Sequence, residues 1–417
     1  MLKGRIRVPG DKSISHRAVI LGSIAEGVTE IVRPLRGDDC MHTVAIFRQL
    51  GVEIIDEDDR IHIKGRGLHG LSAPAKPLYV GNSGTTMRLM AGLLSGQNFK
   101  SILDGDASIR KRPMNRVVAP LTEMGANITA ENGQAPLMIR PSKLHAITYD
   151  SPVASAQVKS CLMLAALFAS GETVLREPAP SRDHGERMLR AFGGTVHMRH
   201  DGLHVLPQPR LKGCRIIVPG DISSAAFFIV GALITPGSDI TLTDVGINET
   251  RAGMLTVCKA MGANIEILNR REPSGEPIAD IRVRHTPDLR ATTVSGPIIP
   301  TLVDEVPILA LLATQATGRT VFQDIGELRV KECDRIDAVA ATLRGAGVDV
   351  ETGPTSLTVT GRSELSGTEV LTHGDHRIAM MAVIASLIAK KPWIPDNYDC
   401  INVSYPEFMT HYNSLRQ

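Results

Sequence analysis

The sequence predicts an α/β protein of two similar halves, each made of three repeated units. Three observations predict it. The segment Arg5-Ile6-Arg7-Val8-Pro9-Gly10-Asp11-Lys12-Ser13 returns as Arg215-Ile216-Ile217-Val218-Pro219-Gly220-Asp221-Ile222-Ser223, 210 positions later in a chain of 417. Six apolar, helix-length segments recur along the chain. Between them, a short helix ending in glycine and followed by a β-branched strand appears five times.

The helix-length segments are Ser13 to Gly27, Gly84 to Gly96, Ser155 to Gly171, Ser223 to Gly237, Asp304 to Gly318 and Asp375 to Lys391, ending 69, 75, 66, 81 and 73 residues apart. Six units of roughly 70 residues therefore account for the chain. Glycine just past an apolar periodic run reads as a helix stop, because glycine enters the left-handed conformation at little cost. The second marker runs through Leu50-Gly51-Val52, Met124-Gly125-Ala126, Phe192-Gly193-Gly194, Met261-Gly262-Ala263 and Ala346-Gly347-Val348; no sixth copy is visible. Strands alternating with helices place the chain in the α/β class.

Composition narrows the function. An apolar content of 43% is ordinary for globular chains, and the length suits two domains with separate cores. Aromatics at 3% argue against base-stacking readout of nucleic acid. With 46 basic and 44 acidic residues, no polyanion partner is implied. The six cysteines are scattered, giving neither a disulfide framework nor a zinc site. No signal-peptide or membrane-spanning pattern is visible, so a cytoplasmic protein without membrane association is expected.

Charge gathers at the helix starts. The first opens on Lys12-Ser13 with Arg17 a turn on, and the second on Asn82-Ser83-Gly84-Thr85-Thr86 with Arg88. The third opens on Ser155-Ala156-Gln157 with Lys159 behind, the fifth on Asp304-Glu305, and the sixth on Asp375-His376-Arg377. Only the fourth, after Asp221, is plain. A helix N-terminus already favours anions, so cations added there imply an anion to neutralise them. The acids have an alternative use as caps.

Two further runs are charged: Gly105 to Met114, which holds Arg110-Lys111-Arg112, and Glu327 to Arg335. Either alone reads as a solvated, salt-bridged surface, but each falls at a corresponding point of the repeat. Lys331 and Arg335, four apart, are expected to share a helical face. The run Gly10-Asp11-Lys12-Ser13 is similar to a nucleotide-binding loop but lacks its glycine spacing. No nucleophile elbow occurs, and His16, His184 and His376 lack metal-ligand spacing.

Together, Gly10-Asp11-Lys12-Ser13-Ile14-Ser15-His16-Arg17, Gly81-Asn82-Ser83-Gly84-Thr85, Gly105-Asp106 through Arg112-Pro113-Met114, Ser155-Ala156-Gln157, Val330-Lys331-Glu332-Cys333-Asp334-Arg335 and Asp375-His376-Arg377 resemble the EPSP synthase family. The resemblance implies an inside-out α/β barrel fold. It has two similar domains of three βαβαββ units each, with the active site in the cleft between them. The domains expected are 11–220, and 1–10 with 221–417. The implied reaction moves the enolpyruvyl group of phosphoenolpyruvate to the 5-hydroxyl of shikimate 3-phosphate, with no metal or organic cofactor, in a monomer.

By the same resemblance, shikimate 3-phosphate meets Lys12, Ser13, Arg17, Ser155, Ala156, Gln157, Ser181, Arg182, Asp304 and Lys331. Phosphoenolpyruvate meets Lys12, Gly84, Arg112, Gln157, Arg335, His376 and Arg377. Asp304, Glu332 and Lys12 are the implied catalytic residues. Lys12→Ala and Arg335→Ala are expected to abolish turnover and leave the fold intact.

Some positions depart from the enterobacterial pattern. Ala156 replaces a second serine, Arg182 a tyrosine and Glu327 an asparagine, and a C-terminal lysine has no counterpart. Arg182-Asp183-His184-Gly185-Glu186 and Asn248-Glu249-Thr250-Arg251 resemble the second, often glyphosate-tolerant class, whereas Gly84 is kept as in sensitive enzymes. The sister UDP-N-acetylglucosamine enolpyruvyl transferases fit less well, since 104–114 has no cysteine and Lys12-Ser13 replaces their Lys-Asn. A non-catalytic anion-binding scaffold is the rival from another class.

Overall fold

The structure, a computed structural model, describes residues 1–417. The chain forms two compact units. One comprises Met1–Pro9, Pro219–Glu272 and Pro277–Gln417; the other comprises Gly10–Val218 and Pro273–Glu276. Each has its own apolar core, one running from Leu2 to Leu415 and the other from Ile14 to Val218.

Five sheets share one pattern of four strands. A leading strand pairs parallel with the next, and an antiparallel hairpin completes the sheet. In the second repeat these are Leu78–Tyr79, Ser101–Asp104, Gln134–Arg140 and Asn127–Glu131. The hairpin strand Arg60–Arg66 alternates buried and open positions, as expected for a sheet with one face on the core. Helices lie behind that face. Gly84–Ser95, Ile222–Ile234 and Val306–Ala313 are buried along their whole length. Such all-round apolar helices are interior elements.

The duplicated segment explains how the chain is shared between units. Lys3–Ile6 pairs parallel with Asp239–Gly246, while Arg215–Ile217 pairs parallel with Glu26–Val32. Each half therefore takes its leading strand from the other copy of the repeat. The shared aspartates cap the helices that follow: Ile14 N donates to Asp11 Oδ1 and Ser223 N to Asp221 Oδ1, both at 2.8 Å.

Gly51, Gly125, Gly193, Gly262 and Gly347 have φ between +84° and +92°, the left-handed stop that the second marker predicts. After the long helices, Gly27, Gly237 and Gly318 are left-handed as well, at +87°, +75° and +106°, but Gly96 is not. Gly96 has φ −92°, and a Cβ there would lie 2.1 Å from Phe168, so close packing rather than backbone conformation selects glycine. Gly27 lies within the strand Glu26–Val32, past the end of the first helix at Ile24. The sixth repeat is also incomplete. Glu369–Val370 pairs only with Ile394–Pro395, and the chain closes with a 3-10 turn and the helix Phe408–Leu415.

Candidate active site

In the unit built on Gly10–Val218, three helix starts hold cations. Lys12 opens the first helix and pairs with Asp39, so the anion that neutralises it here is a protein carboxylate. Arg17, a turn further in, is buried and donates to Ser13 O at 2.9 Å and Ser160 Oγ at 2.6 Å. Burial draws its guanidinium down to about 10, with Glu186 and Asp11 acting the other way. Its bond to Ser160 ties the first helix to the third.

Gln157 ties the third helix to the second. Its Oε1 accepts from Arg88, and its Nε2 donates to Thr85 Oγ1 at 3.0 Å. Arg112 donates to Asn82 Oδ1 beside the start of the same helix. A Cβ on Gly84 would lie 3.1 Å from Arg112 Nη1 and 3.4 Å from Arg88 Nη1. A side chain here would crowd both guanidinium ends beside the helix start, and glycine leaves them room. The adjacent Arg110 instead pairs with Asp104 at an exposed position, so that part of the run is ordinary salt-bridged surface.

Ser155 and Ser181 are held by Glu177, which sequence reasoning missed. Its Oε1 accepts from Ser155 N at 3.0 Å, and its Oε2 accepts from Ser181 Oγ at 2.9 Å. Buried Lys159 bridges Glu177 at 3.1 Å and Glu186 at 2.8 Å, and donates to Ser181 O. Burial would lower its pKa, but Glu186 and Glu177 outweigh that and raise it. Ala156 sits at the first position of the third helix, and Arg182 lies near enough to Arg17 to act on its charge. Ser155 and Ser181 give no signal in the sequence for Glu177, which lies just past the strand Thr173–Arg176.

The other unit holds Asp304, Lys331, Glu332, Arg335, His376 and Arg377. Arg335 is only 1% exposed and faces three carboxylates: Asp375 at 2.7 Å, Glu332 at 2.6 Å and Asp304 at 3.3 Å. Burial would lower its pKa, but those carboxylates, Asp375 foremost, raise it. Burial likewise works to raise the Asp375 carboxyl, and the Arg335 charge reverses this and holds it below its usual value. Lys331 reaches Asp304 at 3.4 Å. His376 is buried in the first turn of the sixth helix.

The helical register expected for Lys331 and Arg335 is absent. The turn Gly326–Val330 precedes Lys331, and the helix begins at Arg335 behind its cap Asp334. Both still reach Asp304, by tertiary placement. Of the acids with two possible uses, Asp375 both caps, accepting from Arg377 N at 2.9 Å, and binds Arg335. Glu305, at the cap position of its helix, makes no side-chain cap bond, and both it and Asp304 pair with cations.

The fourth helix start, plain in the sequence, is not plain in the structure. Ser223 donates to Glu305 Oε1 and accepts from Arg251 and, at 3.3 Å, from Arg377. Arg251 reaches Glu305 Oε2 at 2.8 Å and Oε1 at 3.1 Å. The run Asn248-Glu249-Thr250-Arg251 marks a class resemblance in the sequence, but nothing in it shows that Arg251 is buried or that Glu305 is its partner.

Two α/β halves of repeated units, with cations and carboxylates stationed at buried helix starts, define a protein built to handle small anions. The model of the EPSP synthase (3-phosphoshikimate 1-carboxyvinyltransferase) family matches residues 1–411. A 3-phosphoshikimate 1-carboxyvinyltransferase of Citrifermentans bemidjiense is 52% identical over 98% of this chain and 95% of its own length. One of Pelotomaculum thermopropionicum is 53% identical with the same coverage. The EPSP synthase of Acinetobacter baumannii superposes with a TM-score of 0.88 at 44% identity, covering 99% of this chain and 96% of its own. The enolpyruvyl transferase NikO of Streptomyces tendae, at 17% identity and a TM-score of 0.81 over 99% and 95% of the two chains, shares the fold. The chain belongs to the EPSP synthase family, and it is an enzyme of that family.

Proposed function

We propose that the chain transfers the enolpyruvyl group of phosphoenolpyruvate to the 5-hydroxyl of shikimate 3-phosphate, releasing phosphate and giving 5-enolpyruvylshikimate 3-phosphate. One arrangement carries this reading at the site: Asp304, Glu332 and Asp375 gathered on the single guanidinium of Arg335, with Lys331 beside Asp304. An addition–elimination needs groups that take and return protons, held next to cations that bind phosphate and carboxylate.

In the addition, the 5-oxygen bonds to C2 of the enolpyruvyl group while its proton passes to Asp304, and a proton delivered to the methylene carbon makes a methyl group. In the elimination, that methyl group gives a proton back and the C2–O bond to phosphate breaks. Glu332 and Lys12 exchange the protons at the methylene carbon and the bridging oxygen. Shikimate 3-phosphate is assigned Lys12, Ser13, Arg17, Ser155, Ala156, Gln157, Ser181, Arg182, Asp304 and Lys331. Phosphoenolpyruvate is assigned Lys12, Gly84, Arg112, Gln157, Arg335, His376 and Arg377. Segments 11–220, and 1–10 with 221–417, are the proposed enolpyruvyl transferase domains, in a cytoplasmic monomer that binds neither nucleic acid nor membrane.

Arg182 compensates the hydroxyl missing at Ala156, since guanidinium is a stronger phosphate partner than tyrosine. With Gly84 kept, the chain is of the second class with intermediate glyphosate tolerance. An inhibition constant close to that of a sensitive enterobacterial enzyme, measured side by side, would sink the reading of intermediate tolerance.

The reaction is tested by phosphate release with both substrates against each alone. Release with both only is the expected result. A cooperatively melting protein that releases none would favour the anion-binding scaffold.

A further inference from the structure

Arg377 lies at the edge of a buried ionic group that the proposed reaction does not use. Glu305 is fully buried and carries a negative charge between two guanidiniums. Arg251 holds both of its oxygens at 2.8 and 3.1 Å, whereas Arg377 Nη1 stands off at 3.6 Å. Ser223 joins the two arginines, its hydroxyl accepting from each and donating to Glu305. The Arg251 side chain is 5% exposed and that of Arg377 13%, so the inner guanidinium neutralises the carboxylate and the outer one keeps an open side.

We infer that Arg251 is a positioning residue that neutralises Glu305 and so keeps the charge of Arg377 available to a ligand carboxylate. A buried carboxylate cannot stay unpaired, because its desolvation is too costly. Without Arg251, Glu305 draws in the only other guanidinium bonded to Ser223, that of Arg377. A charge closed into such a pair is lost to a ligand. Asp221, 3.6 Å from Arg251, adds a second negative charge on the inner side and further anchors Arg251 there. The inference deepens the proposed function, since it rests on Arg377 being a phosphoenolpyruvate ligand.

The test is steady-state kinetics of Arg251→Met, Glu305→Gln and the double variant with both substrates varied. Arg251→Met is expected to raise KM for phosphoenolpyruvate by about tenfold or more, with KM for shikimate 3-phosphate and kcat within about threefold of the parent. The double variant, which has no buried carboxylate to capture Arg377, is expected to recover most of that loss. A double variant worse than Arg251→Met, or an equal rise in both KM values, marks a merely structural role and overturns the inference. If Arg251→Met does not fold, Glu305→Gln decides alone: KM for phosphoenolpyruvate at or below the parent supports it, and a tenfold rise overturns it. A parent that releases no phosphate overturns the proposed function itself, a result distinct from normal turnover with unchanged KM in Arg251→Met.

Discussion

Arg335 donates through Nε to Oδ2 of Asp375 at 2.7 Å, and both side chains are sealed from solvent. The helix cap of one repeat is thus bonded to the first helical residue after another cap, Asp334. Removing one partner of such a pair strands the other charge.

Arg335→Ala is therefore expected to lose stability as well as turnover, which corrects the expectation of an intact fold. Three carboxylates lose their common cation, a loss of about 3–5 kcal/mol for a broken buried pair. Trp393, the only tryptophan and fully buried, reports unfolding of that unit by its fluorescence. An unchanged melting temperature would show that the carboxylates are satisfied without Arg335.

Lys12→Ala should keep the fold and lose the reaction. Its side chain is 21% exposed and that of Asp39 6%, so truncation weakens the pairing of a largely buried carboxylate and costs about 1–3 kcal/mol, less than opening the sealed Arg335 group. Turnover should fall by about a hundredfold or more. A melting temperature close to the parent, beside near-parental turnover, would remove Lys12 from the machinery.

Gly84→Ala is expected to raise KM for phosphoenolpyruvate and the glyphosate inhibition constant together, by about fivefold to fiftyfold. The added methyl meets the flexible ends of Arg112 and Arg88 rather than backbone, so the fold survives. Unchanged inhibition would place the inhibitor away from this helix start.

Acid should destabilise the protein partly through Asp375. Its folded pKa lies below the usual carboxylate value near 3.8, so the unfolded chain binds the proton more readily. The stability it contributes is full above that value and is lost as pH falls through the folded pKa. Asp375→Asn should flatten the denaturant midpoint against pH below about 4. An unaltered slope would assign the acid response to other groups.

Lys159→Met should destabilise the other unit by about 3–5 kcal/mol, leaving Glu177 and Glu186 buried without their cation. Glu177→Gln should raise KM for shikimate 3-phosphate and leave that for phosphoenolpyruvate unchanged, because Glu177 holds Ser155 and Ser181. An equal change in both KM values would contradict the assignment of those serines.

The repeat, the α/β class and the helix starts were legible because they are local. A glycine at Gly51 or Gly347 is demanded by its own φ, and the caps Asp11, Ser83 and Ser155 by N–H groups three residues on. Misreadings arose where distant packing chooses the residue. Gly96 is glycine because Phe168 lies against it, and Lys331 meets Asp304 without sharing a helix with Arg335.

The amino-acid order by itself determined the six-fold repeat, the places where helices begin and stop, and the positions of the cations at those starts. These depend on backbone conformation and on bonds within a few residues. Only the tertiary structure decided which charges neutralise one another. Glu305 and Arg251 acquire their roles from partners 28 to 82 residues away, and Glu177 joins Ser155, 22 residues back, to Ser181. A charge must be paired once it is buried, but local sequence says neither that it is buried nor with what.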